Sequence, residues 1–263
     1  MKAVLFFILF ITLHAEILEI GRFDEAVPHI GKDTLVVLDI DDTLLIPRQM
    51  LGCDEWFIYR INKREKEGMA PRESLEKSLA EWEAVRHITE MEIVEPGTEA
   101  IVQALQKKGH AVMGLTTQGL ALATRTSQQL KANRFDLTLT APYKEDFYFS
   151  LNRHGILYRN GILFTSGMPK GEALFKLCDM AGCCPKQIVF INDKESHLAD
   201  VEATAKKRGV PFIGLRYAYS DARKEAFSAE IAEYQFSHSS FAKLMTDQEA
   251  KSSLKNWRSL KRA

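Results

Sequence analysis

The run Thr34 to Ile40, TLVVLDI, constrains the fold more than any other feature of the chain. Leucine and valine occupy both parities. As a strand it would therefore present apolar side chains to both faces of a sheet, which is the setting of a parallel sheet packed between helices. Asp39 lies in the run, and Asp41 and Asp42 follow before Thr43. Three carboxylates within four positions at the tip of a buried strand repel one another and lose hydration. Positive charge and a specific chemistry are needed to keep them there.

The rest of the chain repeats the alternation that such a strand requires. Pro96-Gly97-Thr98 punctuates, with Thr98 as a candidate N-cap for a helix that ends on basic residues at Lys108 and stops at Gly109. His110 to Thr116 reads as the next strand and Leu120 to Ala132 as the next helix. Ile156 to Phe164, ILYRNGILF, reads as a hairpin, because Asn160-Gly161 is the pair that a tight primed turn favours. A helix over Gly171 to Ala181 closing at Gly182, a strand over Gln187 to Ile191, a helix from His197 to Arg208 and a strand from Val210 to Tyr217 complete the series. The expected fold class is α/β, a doubly wound parallel sheet with helices on both faces. Residues 48–95 interrupt the pattern as a charged, helical insertion. Leu75, Leu79 and Trp82 fall at i, i+4 and i+7 behind Pro71, as on the apolar face of a helix. In open sheets of this kind functional groups lie beyond the carboxyl ends of the strands, which sets Asp39, Thr116 and Asp193 along one edge.

At 263 residues the chain can bury a full core. Its 35 basic and 35 acidic side chains balance, so no overall field points to nucleic acid or to a membrane surface. Met1-Lys2 followed by the apolar run Ala3 to Leu13 and by His14-Ala15-Glu16 reads as a secretory signal with cleavage after Ala15, implying a secreted or periplasmic protein. This run of eleven residues is too short to span a bilayer comfortably, and no second apolar span follows. Four cysteines, Cys53, Cys178, Cys183 and Cys184, allow disulfides outside the cytosol, and unpaired thiols equally; sequence does not choose among the pairings. No C-x-x-C pair or histidine pair has zinc-ligand spacing.

A D-x-D-x-T string arises at a given position about once in ten thousand with ordinary residue usage. "DIDDT" at Asp39–Thr43 resembles the first motif of the haloacid dehalogenase (HAD) superfamily. Three further segments follow in the superfamily's order: "VMGLTTQG", with Thr116 at its strand end, "MPKG", with Lys170, and "IVFINDKES", with Asp193. The likeness runs from about Thr34 to Tyr217. It implies a Rossmann-like core with a cap or helical insert, here residues 48–95, between the first and second motifs. Asn192 departs from the Gly-Asp or Asp-Asp of the fourth motif and bears on metal affinity more than on activity.

The chemistry that the resemblance implies suits these residue types. Phosphoryl transfer needs an in-line nucleophile and neutralisation of the charge on the equatorial oxygens. Asp39 would be the nucleophile forming an aspartyl-phosphate, and Asp41 the general acid and base. Lys170 would supply positive charge to the phosphoryl group, and the Thr116 hydroxyl a hydrogen bond to a phosphate oxygen. Mg²⁺, held by Asp39, the main-chain oxygen of Asp41 and Asp193, would relieve the repulsion among anions. Asp41 favours phosphatases and phosphomutases over the dehalogenases and ion pumps of the superfamily, which lack that acid. The expected activity is an exported Mg²⁺-dependent phosphomonoesterase acting on a small phosphorylated substrate, most like the bacterial secreted acid phosphatases. Its rivals are a secreted HAD-like binding or effector module without turnover, and a phosphomutase. Trp56, Phe57 and Tyr59 could stack on a ring of the substrate, although such aromatics are more often core. Thr117, Gln118, Lys194 and Glu195 lie close to the motifs without a clear role.

Overall fold

The computed structural model describes residues 15–240 and 243–260; the signal-like segment before Ala15 lies outside them. Strand β1 (Ala15–Ile20) and a 3-10 helix over Phe23–His29 lead into β2 (Thr34–Leu38) and β3 (Leu45–Pro47). Helices α1 (Asp54–Lys66) and α2 (Pro71–Ile88) follow, then β4 (Met91–Ile93), α3 (Thr98–Lys107) and β5 (Ala111–Thr116). After α4 (Ala123–Ala132) come β6 (Phe147–Leu151), β7 (His154–Arg159), β8 (Ile162–Phe164) and α5 (Lys170–Ala181). The chain continues through β9 (Gln187–Asn192), α6 (Glu195–Lys207), β10 (Phe212–Tyr217), α7 (Asp221–Glu225), α8 (Ala229–His238) and α9 (Asp247–Leu260).

Eight strands form one sheet in the order β1-β10-β9-β2-β5-β8-β7-β6, parallel from β1 through β8 and antiparallel in the last two pairings. β3 and β4 form a separate antiparallel pair. Every residue of β2 is buried, and its parities divide between two cores as a doubly covered strand demands. Val36, Leu38 and Ile40 join Val102, Leu105 and Leu130 of α3 and α4 on one face. Leu35 and Val37 join Leu174, Leu177, Leu198 and Val201 of α5 and α6 on the other. The fold is therefore the doubly wound α/β sheet that the alternation implied.

The Asn160-Gly161 turn joins β7 to β8, with φ of 53° and 75°. Glycine is required at its second position, where an added Cβ would lie 2.2 Å from the Leu137 carbonyl oxygen. Two expectations need correction. The N-cap of α3 is Gly97, at φ 98°, and Thr98 is the first helical residue. On α2, Leu75 and Leu79 are 47% and 39% exposed, whereas Ser74, Ser78, Trp82, Val85 and Arg86 are buried. The helix turns toward the protein the face that holds its arginine and small hydroxyls, because the groups opposite it are charged. Trp56 is fully buried and Phe57 packs on Trp82 at 5.8 Å, so these rings are core. All four cysteines are free thiols, Cys53 and Cys178 buried and Cys183 and Cys184 exposed.

Candidate active site

The parallel strands deliver their polar ends to one edge. Asp39 follows β2 directly and is anchored there by its own amide, which donates to the Ile191 carbonyl of the neighbouring β9 (3.0 Å). The chain then folds back, with the Leu44 and Leu45 amides both donating to the Ile40 carbonyl (3.0 and 2.9 Å). Asp42 takes φ 59° in this turn, a left-handed conformation that aspartate tolerates better than most residues. Thr43 closes it, its hydroxyl oxygen accepting the Asp193 amide at 3.1 Å. Two of the sequence motifs are thus stitched together by a hydrogen bond spanning 150 residues.

Lys170 is the first residue of α5 and is 1% exposed. Its Nζ donates to Asp39 Oδ1 at 2.6 Å and lies 5.3 Å from the centroid of the Phe190 ring. Gly171 beside it allows α5 to approach α6: a Cβ there would meet Thr204 Oγ1 at 2.5 Å and the Asp200 carbonyl at 2.7 Å. The Gly171 amide donates to Asp200 Oδ2 (2.9 Å), which pins the start of the helix that carries the lysine.

Asp41 is held on both oxygens. Arg86, reaching from α2, donates through Nη2 to Oδ1, and Gln118 Nε2 donates to Oδ2 at 2.8 Å. Gln118 is itself oriented, because Thr126 Oγ1 donates to its Oε1 at 2.6 Å. The Gln118 amide donates to Thr116 Oγ1 at 3.1 Å, so the end of β5 joins the same network. Arg86 also lies over the Trp82 ring at 4.9 Å and is 3% exposed.

Asp193, just beyond β9, has a fully buried side chain. Lys224 of α7 lies 3.0 Å from its Oδ2, while its Oδ1 is buried with no hydrogen-bond partner among the described residues. Asn192 uses its side-chain oxygen to accept the Lys194 amide at 2.8 Å and so shapes the turn. Lys194 pairs with Asp54, the first residue of α1.

The structure therefore brings Asp39, Asp41, Thr116, Lys170 and Asp193 to one edge. Arg86, Lys224 and Asp54 join them from positions that no motif marks, and Gln118 acquires a partner.

Electrostatics follow from this crowding. Burial pushes the Asp39 carboxyl up to about 7; Lys170 pulls it down, and Asp193 and Asp41 push it further up. Burial, with Asp54, Asp193 and Glu55 nearby, holds Asp42 well above the ordinary carboxylate range. His197 is driven down to about 3 by burial and by the charges of Lys170 and Lys194.

A divalent cation fits this environment in one respect: the unpartnered, buried Oδ1 of Asp193 is an oxygen donor that the protein leaves unsatisfied. No group of three or more His, Cys, Asp and Glu side chains among the described residues is placed to hold a metal ion by itself. An ion here would have to complete its shell with main-chain oxygen and water, as Mg²⁺ commonly does.

The fold and site define a Rossmann-like α/β protein with an acid-and-lysine edge, the arrangement that the likeness to the HAD superfamily implies. The chain belongs to the family described as "Protein of unknown function (DUF2608)", which it matches over residues 18–251. It is 24% identical over 235 residues to a Chlamydia pneumoniae protein named "Putative outer membrane protein", covering 86% of this chain and 85% of that one. A Rickettsia prowazekii protein named as uncharacterized is 23% identical over 198 residues, covering 72% and 71%. Among solved structures, a haloacid dehalogenase-like family hydrolase from Streptococcus pneumoniae is 11% identical, with a TM-score of 0.44, covering 73% of this chain and 97% of that chain.

Proposed function

We propose that the protein is an exported, Mg²⁺-dependent phosphomonoesterase that works through an aspartyl-phosphate on Asp39. The observation that carries this reading is the buried Lys170–Asp39 pair at 2.6 Å, with Asp193 across the same strand edge presenting a carboxylate oxygen that has no partner among the described residues. A structural ion pair alone would not need a second buried carboxylate beside it, and leaving one oxygen of that carboxylate buried without a partner is costly.

In this reading Asp39 attacks phosphorus and the leaving oxygen departs with a proton from Asp41. Asp41 then takes a proton from the water that hydrolyses the acyl phosphate. Arg86 and Gln118 hold the Asp41 carboxylate in one orientation through both steps. Lys170 pulls Asp39 toward its ionised form and neutralises charge on the equatorial oxygens, and the Thr116 hydroxyl donates to one of them. Asp39, the Asp41 main-chain oxygen and Asp193 would hold Mg²⁺, which when bound supplies charge neutralisation for the phosphoryl group. Residues 48–95 act as the cap that shapes the substrate's leaving group.

Export is supported by the basic-then-apolar pattern of Met1 to Ala15 and agrees with the outer-membrane description of the chlamydial relatives. Among the described residues no helix is long and apolar enough to cross a membrane.

Hydrolysis of an aryl phosphate by the purified chain, with Mg²⁺ and after chelation, tests the reading. Activity should vanish on chelation and fall by about 10³-fold or more in Asp39→Asn. Rapid acid quench with labelled substrate should leave a hydroxylamine-labile phosphoryl group on Asp39. Turnover that survives both chelation and Asp39→Asn would refute it.

A further inference from the structure

We infer that Lys224 is the resident counter-ion of the divalent-cation site, and that a divalent ion binds by displacing the Lys224 ammonium from Asp193. The inference rests on the reading of Asp193 as a metal ligand and adds a residue that the sequence motifs do not contain.

Three observations carry it. Lys224 Nζ is 3.0 Å from Asp193 Oδ2, so the ammonium stands on the carboxylate that an incoming cation must use. Two positive groups sharing one buried carboxylate repel strongly where water screens little, and the ammonium is the one free to move. It has somewhere to go: Asp221 Oδ1 is also 3.0 Å from Lys224 Nζ, so a small swing keeps the lysine on a carboxylate. Lys224 also lines a cavity of about 250 Å³ with Met50, Glu55 and Phe227, which gives the side chain room.

The other cations of the cluster are not equivalent. Lys170 is bonded to Asp39 and is fully buried beneath the site. Lys194 is committed to Asp54 and Arg86 to Asp41. Among the described residues only Lys224 combines contact with Asp193, a second acidic partner and adjoining space.

This assigns the tuning of metal affinity to Lys224 rather than to Asn192. The Asn192 side-chain oxygen is already used by the Lys194 amide, and its amide nitrogen faces His197 Nδ1 at 3.5 Å. The asparagine therefore builds the turn, and the charge that competes with the ion comes from α7.

Titration calorimetry with Mg²⁺ on the full chain, without substrate, tests the idea. Lys224→Met should bind Mg²⁺ about tenfold more tightly than wild type, a usual size for coupling between two sites. Lys224→Arg should stay near wild type. Asp221→Asn, which takes away the alternative partner and returns the lysine to Asp193, should bind more weakly. Opposite shifts in Lys224→Met and Asp221→Asn cannot come from general destabilisation, and thermal melts check that each variant is folded. Unchanged or weaker binding in Lys224→Met overturns the inference while leaving the metal reading intact, provided that Asp193→Asn abolishes binding. Tighter binding in Asn192→Asp with no change in Lys224→Met overturns it too. No Mg²⁺ binding by wild type or by Lys224→Met sinks the metal reading and this inference together, a pattern distinct from the other two.

Discussion

Strand β2 and helix α2 both end on the same acidic turn, β2 by running into it and α2 by sending Arg86 to Asp41, yet opposite forces hold them. β2 is apolar on both faces and divides its side chains between two cores. α2 buries two serines and an arginine, and it is tied to α1 through Arg64, which bonds Ser78 Oγ at 2.6 Å and Glu81 at 2.5 Å, and through Arg60, which reaches Glu81 at 2.9 Å. Its apolar contribution is the smaller cluster around Trp56, Trp82 and Val85. Apolar burial is non-directional and tolerates no voids, so it makes a stiff platform. Ion pairs and hydrogen bonds are directional and can be exchanged for others at modest cost. Asp39, the proposed nucleophile, sits on the stiff part and Arg86, which orients Asp41, on the adjustable part.

The contrast breaks first if the platform is soft. Phe190 on β9 is fully buried and underlies Lys170. Phe190→Ala should cost about 4 kcal/mol, the transfer of a ring plus the void it leaves, measured by urea unfolding. A loss near zero would mean that the sheet repacks freely and is no platform.

The directional side is sharpened by Arg86→Leu. Asp41 keeps Gln118 and some contact with water, so removing one partner should cost about 2 kcal/mol rather than the full penalty of an orphaned buried charge. Steady-state hydrolysis of the same aryl phosphate should lose kcat more than KM, because the carboxylate would lose its fixed orientation.

A smaller effect comes from His197, on α6 beside the site. Its pKa falls to about 3 in the folded protein from an ordinary 6.5, so the unfolded chain binds the proton more readily. Stability from this group is complete above pH 6.5 and is lost as pH falls toward 3. His197→Gln should remove that loss and gain about 1 kcal/mol relative to wild type at pH 5, with the partial exposure of the ring discounted. Parallel denaturation curves at pH 5 and pH 8 read it, and equal differences at both would contradict the assignment.

The same division explains what could be read from the chain. β2, β5, β9 and β10 announce themselves as aliphatic runs, and Asp39, Thr116 and Asp193 follow because motif residues sit at strand ends, whereas Lys170 is marked by its own motif at the start of α5. The Asn160-Gly161 turn was legible from its residue pair. β1 was not, because Ala15 to Ile20 adjoins a segment with the pattern of a secretory signal and forms an edge strand paired only with β10. Arg86, Lys224 and Asp54 were not, because their role depends on which distant carboxylate or lysine they meet. Arg86 and Asp41 are 45 residues apart and Lys224 and Asp193 31 apart, and no local period encodes such pairs. The face of α2 was misread for a related reason. Counting apolar residues at helical spacing assumes that the helix packs on hydrocarbon, and this one packs largely on charge.

That misreading supplies the smallest effect and the most discriminating one. If α2 were an ordinary amphipathic helix, Leu75 and Leu79 would be core, and serine at either would cost several kcal/mol. In the structure both lie on the exposed side, with Ser74 and Ser78 buried instead. Leu75→Ser and Leu79→Ser should therefore change stability by no more than about 0.5 kcal/mol each. Ser78→Leu, which would force a larger apolar group against the Arg64 guanidinium and leave that donor unpaired, should cost about 2 kcal/mol. Urea unfolding of the three variants ranks them directly. Should the leucine variants prove the costly ones, α2 would be facing the other way, Arg86 could not reach Asp41, and the division between platform and insertion would fall with it.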